Sequence, residues 1–171
     1  MNKNDFELIV NYNKAVNEKM NNIIETLSEE EWNKVFSGYY SSIHKLCSHI
    51  LLGDYLWLNR FKSMDCFKSL DDKYFNKNYN FQDTLFESIS EYLFKRTELD
   101  NIIIDFVNEL TENDLNRILK FKNIKGIIYE KKIKVCLIHL SHHETHHIGM
   151  ISLYLEMLGK ENDFSNLYPY G

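Results

Sequence analysis

Proline is almost missing from this chain: of 171 residues one is a proline, Pro169, and it stands in the last few positions. Upstream of it, no ring clash or lost amide donor forces a helix to end. Glycine is sparse too, with six residues. The three cysteines, Cys47, Cys66 and Cys136, are odd in number and form no CxxC pair, which excludes a disulfide framework and sets the expectation of a reducing, cytoplasmic setting. A surplus of positive charge is also lacking. The formal net charge is −5 and no segment offers a contiguous basic face, the Lys132/Lys134 neighbourhood being too small, so an electrostatic nucleic-acid binder is excluded. No stretch reaches the roughly 20 apolar residues that span a bilayer, and MNKNDFELIVNYNKAVNEKM at the start lacks the three-part signal-peptide pattern. A soluble protein with no membrane partner is the expectation.

What remains is a composition of 44% hydrophobic, 26% charged and 14% aromatic residues, that of a folded protein of long helices. Its length suits one domain over residues 1–171. Periodicity divides the chain. Phe6, Ile9, Val10, Val16, Met20, Ile23, Ile24 and Leu27 recur mostly at three- and four-residue spacing and predict an amphipathic helix over Asp5–Leu27. Ser28-Glu29-Glu30-Glu31 has the form of a capping box and predicts a short helix carrying Trp32. A second long helix is predicted from Ser41 or Ser42 to about Phe61, with Leu46, His49, Leu52, Leu56 and Arg60 on one stripe. Residues Lys62–Asn80 show no clear period and read as a connection. Phe81–Leu110 reads as the third long helix, starting near Gln82 or Asp83 and carrying Arg96 on its inward stripe.

After it, RILKFK (Arg117–Lys122) and IIYEK (Ile127–Lys131) flank Asn123-Ile124-Lys125-Gly126, a hairpin signal. The predicted ribbon lies outside the bundle. The fourth long helix, about Lys134–Leu158, is closed by Gly159 as a left-handed cap. The expected fold class is all-α, a four-helix bundle with a small β-hairpin before the last long helix.

Five of the seven histidines fall between His139 and His147. His143 and His147 stand four apart, about 6 Å along the helix axis and on one face, close enough to share one metal ion. Their row, Cys136, Leu140, His143, His147, Ile151, Tyr154 and Leu158, is apolar apart from the imidazoles, whereas the row through His142, His146, Gly149 and Glu156 is largely polar. Two imidazoles need a third ligand from another helix, and His49 is the other histidine on a mostly apolar stripe. Three neutral imidazoles would leave coordination positions for water or substrate. His143-Glu144-Thr145-His146-His147 also fits HExxH, the zinc-peptidase pattern in which the glutamate is general base. Its longer form needs a glycine and a histidine where this chain has Met150 and Leu153.

Two blocks carry a family resemblance. SIHKLCSHILLGDYLWLNRF (Ser42–Phe61) and HLSHHETHHIGM (His139–Met150), with the hairpin before the last helix, resemble the DinB/YfiT-like superfamily of metal-binding four-helix bundles. In that family the second block typically reads H-x-x-N-H-x-x-H-H-R-G-Q. The resemblance implies metal ligands at His49, His143 and His147, the trio that the helix faces also select. It departs at His142, Ile148 and Met150, where the family has Asn, Arg and Gln. It further implies a divalent metal, zinc, nickel or iron, that activates a small-molecule thiol or water in a thiol S-transferase or hydrolase. The alternative is a non-catalytic metal-binding stress-response protein. Relatives often pair through bundle faces, so a homodimer is expected.

Three further residues have two readings each. Glu144 and Asp54 are candidates for acid–base work or for orienting a ligating imidazole, but as carboxylates they read more simply as solvated helix-face groups. Arg96 is a candidate for holding an anionic substrate in the bundle mouth. Snorkelling or an internal ion pair is the simpler account.

Overall fold

Most helices begin where the sequence supplies a capping side chain. In the computed structural model, which describes residues 1–70, 74–75, 77–80 and 83–170, helix α1 (Lys3–Ile24) starts on a capping box: Asn2 Oδ1 accepts from the Asp5 amide and Asp5 Oδ2 from the Asn2 amide. Helix α2 (Glu29–Asn33) starts on the Ser28/Glu31 box that the sequence predicts. Ser42 caps α3 (Ile43–Lys62), and Ser88 caps α4 (Ile89–Glu109). Each such oxygen satisfies an amide that the first helical turn leaves unpaired. Helix α5 (Ile133–Met157) is the exception, with no side-chain cap. It follows the strand Ile128–Lys132 without a linker, and the Ile133 amide donates to the Arg117 carbonyl.

The α4 start corrects the predicted helix over Phe81–Leu110. Phe81 and Gln82 lie outside the described residues, and Asp83–Ser88 precede the helix. Leu85 and Phe86 are buried from the segment before the cap, so the apolar pattern continues where the helix does not. Likewise α1 ends at Ile24, while Leu27 packs inward just past it.

The four long helices form a bundle in which α1 lies against α4 and α5, and α3 lies against the same two. Side chains from all four, including Phe6, Leu51, Phe61, Phe106, Ile148 and Leu155, join one apolar cluster. Burying each large apolar side chain contributes on the order of 1.5–3 kcal/mol. Among the described residues no helix is long and apolar enough to cross a membrane.

Strands β1 (Ile118–Lys122) and β2 (Ile128–Lys132) form the antiparallel hairpin, with Phe121 opposite Tyr129. Asn123 makes the turn: its side-chain oxygen accepts from the Lys125 and Ile127 amides, and Gly126 adopts φ 76°, a conformation that glycine tolerates without a Cβ clash. The expectation of a ribbon outside the bundle is corrected. Leu119 is buried and Phe121 packs against Trp57 of α3, so β1 lies on the bundle while all of β2 faces outward. At the end of α5, Gly159 has φ 75°, the left-handed cap read from sequence.

Candidate metal centre

Two helices bring three histidines together. His49 lies on the rim of α3, where Leu46, Cys47, Ile50 and Asp54 point into the core and His49, Leu56 and Arg60 are half-buried. Of the stripe read from sequence on this helix, Leu46 and Leu52 are buried, while His49, Leu56 and Arg60 lie at its edge, facing α5 and the hairpin. His143 and His147 come from α5. The ring centroids of His49, His143 and His147 are 4.6–4.8 Å apart, and one nitrogen from each ring falls within 4.8 Å of the others. His143 Nε2 is 2.9 Å from His49 Nε2. Two nitrogens at about 2.0–2.1 Å from a tetrahedral zinc stand about 3.3 Å apart, so the His49–His143 pair is near the spacing of two ligands on one ion, and the wider separations, up to 4.8 Å, would close on binding.

A glycine permits the approach of the two helices. A Cβ on Gly53 would lie 3.0 Å from Cε1 of His143, so a larger residue would press on the ring. Gly149, the other glycine within a long helix near the site, faces open space.

The electrostatics favour neutral imidazoles. Burial, with the neighbouring His147 and His49 adding to it, pushes the His143 pKa down to about 3. Burial and His49 push His147 to about 4, and burial lowers His49. At neutral pH all three rings keep a lone pair. Nδ1 of His143 and Nδ1 of His147 are buried without a hydrogen-bond partner, an arrangement that costs about 1–3 kcal/mol per group unless something outside the chain satisfies it. A set of neutral imidazoles whose Nε2 atoms meet at His49 and His143 fits a divalent cation, and an Nδ1 that does not ligate is left to bond a group outside the chain.

Tyr40, in the loop before α3, completes the surroundings and was not legible as a site residue. Its hydroxyl is 2.9 Å from His49 Nδ1 and 3.1 Å from Nε2, its ring stacks on His49 at 4.2 Å, and its carbonyl accepts from the Tyr154 hydroxyl. The other histidines are outside the trio, although the His146 ring lies 4.8 Å from that of His147 and His139 borders the opening to His143. His44 stacks on Trp32 and sits 2.9 Å from Asn33 Oδ1, while His139, His142 and His146 are exposed. Cys47 is buried, which pushes its thiol up to about 12.

Glu144 and Asp54 are not solvated, which corrects the simpler sequence reading of both. Glu144 is 3% exposed, and its two oxygens accept from Asn13 Nδ2 at 2.6 Å and Asn17 Nδ2 at 2.8 Å on α1. Asn17 also donates to Asp100. Arg96, 1% exposed, pairs with Asp54 at 2.6 Å and with Asp100 at 2.7 Å. It stands in the core, not at a bundle mouth. This network joins all four long helices. Burial of three carboxyl groups outweighs the single guanidinium: Asp54 is raised to about 6 and Asp100 and Glu144 to about 7. Burial alone would lower Arg96, but the combined pull of Asp100, Asp54 and Glu144 holds its pKa well above the ordinary value.

Two openings reach the histidines. One, between α3, α5 and the hairpin, ends at His143; the other, beside the loop before α3, ends at Tyr40 and His49. A bound ion would therefore be approachable from either side.

The comparisons agree with this architecture. The sequence model of the DinB family matches residues 1–168. The crystal structure of a DinB-like protein, YjoA, from Bacillus subtilis superposes with a TM-score of 0.60 at 19% identity, covering 90% of this chain and 94% of that one. At that identity the likeness shows the fold alone. No curated protein matches the chain.

Proposed function

We propose that this chain, which belongs to the DinB family, binds one divalent metal ion through His49, His143 and His147 and uses it to activate a small-molecule thiol or a water. The observation that carries the reading is the convergence of three neutral imidazoles, with one nitrogen of each within 4.8 Å of the others and the Nε2 atoms of His49 and His143 2.9 Å apart. A divalent ion held there supplies Lewis acidity, lowering the pKa of a bound thiol or water so that the nucleophile exists at neutral pH. Three uncharged ligands leave the ion's full charge for that task. Zinc, nickel and iron all accept imidazole. Among this chain's own groups, Gly53 gives His143 room to reach α3, and the Tyr40 hydroxyl orients His49 and can pass a proton at the side of the second opening. A thiol S-transferase or a hydrolase is the activity that fits.

A second reading, metal binding without catalysis, is favoured by one observation. Glu144 is the sole acid of the fourth-helix histidine block, and it is held by Asn13 and Asn17 in the interior, leaving that block without a general base at the histidines. The same fact counts against a zinc peptidase. HExxH chemistry needs the glutamate on the water beside the metal, and here it is committed to α1.

The test is metal analysis of tag-free protein together with calorimetric titration of zinc, nickel and ferrous iron. Wild type should bind one equivalent, and His49→Ala, His143→Ala and His147→Ala should each lose it. Stoichiometric binding in all three variants would sink the assignment. Glu144→Gln should bind metal like wild type. The two readings separate when metal-loaded protein is given glutathione, bacillithiol or mycothiol with chlorodinitrobenzene: turnover that vanishes with the histidines supports the enzyme, and sustained inactivity supports the binding role.

A further inference from the structure

The opening that ends at His143 has a chemical bias which metal binding does not explain. It encloses about 430 Å³, within the range of small-molecule sites. Leu56, Trp57, Phe121 and Val135 make apolar walls, and the charged side chains are Arg60 and Lys131. Among the described residues no carboxylate lines it, although acidic residues outnumber basic ones in the chain, 25 to 20.

Arg60 sets the direction of the argument. In the last turn of α3, its half-buried guanidinium lies 4.5 Å from the Trp57 ring centroid and 5.3 Å from that of Phe121. Two aromatic faces thus take water from it and hold it flat. The other two arginines of the chain have carboxylates, Arg96 with Asp54 and Asp100, and Arg117 with Asp114. Among the described residues no carboxylate pairs with Arg60, while burial weighs against its charge. A planar cation, partly desolvated and facing an apolar cleft, is arranged for an anion brought from outside, since its fork matches a carboxylate with two parallel hydrogen bonds.

The distance to the histidines limits what fits. Gly53, against the His143 ring, and Arg60 are seven residues apart on one helix, about 10 Å along its axis. We propose that this cleft takes a small organic acid with an apolar or aromatic body, its carboxylate on Arg60, its body against Trp57, Leu56 and Phe121, and its far end, on the order of 10 Å away, at His143. That the far end meets a reactive centre rests on the metal-site reading above. The anion site itself does not.

Phenylbutyrate and its neutral amide, phenylbutanamide, form a probe pair with the same body and nearly the same shape, in which the amide lacks the charge and one of the two acceptor oxygens. Calorimetric titration of wild type, metal-free and zinc-loaded, should show the acid binding about tenfold more tightly than the amide, the scale of one charge-assisted hydrogen bond in a half-exposed site. Arg60→Met, which keeps an unbranched apolar stem beside Trp57, should bind both equally, and Arg60→Lys should keep part of the preference. Equal affinities in wild type, or an undiminished preference in Arg60→Met, would overturn the proposal, and the wild-type comparison stands even if a variant does not fold. An acid preference in protein that binds no metal would uphold the cleft and refute the metal centre. Metal bound at the histidines without an acid preference would do the reverse.

Discussion

Replacing Arg96 with methionine tests whether the interior charge network holds the four helices together. Methionine matches the apolar stem of arginine, so the main loss is the cation within 2.7 Å of both Asp54 and Asp100. Removing one partner of a buried pair costs about 3–5 kcal/mol. For a chain of this size each kcal/mol lowers the melting temperature by about 2–4 °C, which puts the expected fall at about 6–20 °C. The loss should depend on pH. Burial raises Asp54 to about 6 and Asp100 and Glu144 to about 7, whereas unfolded carboxyls titrate near about 4. Between those values the folded chain holds more protons than the unfolded one, so the stability from these groups is full below about pH 4 and is lost as pH rises through the folded values. Arg96 is the attraction that limits their rise. Without it the folded pKa values climb further and the loss extends to higher pH, so the variant should suffer more at pH 8 than at pH 5, where the carboxyls are already neutral. Urea unfolding followed by far-ultraviolet circular dichroism at both pH values measures this. The protonation of the histidine cluster affects both proteins alike and cancels in the difference. A destabilisation below about 1 kcal/mol, or one equal at the two pH values, would refute the reasoning.

Two glycines give further expectations of opposite kind. Gly53→Ala adds a methyl 3.0 Å from His143, so it should weaken metal affinity by calorimetry while the gain in helix propensity, up to about 1 kcal/mol, offsets the crowding in the melting temperature of metal-free protein. Unchanged affinity would mean that the ring yields without cost. Gly149→Ala meets no atom within 4 Å and should stabilise the chain by about 0.5–1 kcal/mol in denaturant melts. A destabilised variant would show that this face of α5 is covered in solution.

The long helices and the hairpin were legible because the chain has few breakers and its apolar residues keep a helical period. The histidine trio was legible for a related reason: imidazoles stand out on an apolar stripe. The charge network was not. Asn13 and Asn17 interrupt the stripe of α1, and Glu144 and Asp54 belong to a residue type that is mostly exposed. Only the packing of α1 against α4 and α5, and of α3 against α4, shows that each has a partner. Broad burial of α5 hid a second inward face, Leu137, Glu144, Ile148 and Leu155, which a single-stripe reading assigns to neither side. Tyr40 lies in a loop without a period and leaves no trace before its contact with His49. The start of α4 was misplaced because Leu85 and Phe86 are buried without being helical, and burial, not helicity, writes the apolar pattern.

The hairpin divides its duties between its two strands. Strand β1 is anchored by Leu119, whereas every residue of β2 is exposed. Yet Tyr129 and Lys131 of β2 and Asn123 and Ile124 of the turn form part of the rim of the cleft before His143. Substitutions at such exposed positions usually change stability by no more than about 0.5 kcal/mol. The mouth of the cleft can therefore be re-cut, in width, charge or stickiness, by changes that neither the bundle nor the histidines would register. Differences in ligand preference among chains of this shape would then accumulate along that outer strand, while the three histidines stay fixed beneath it.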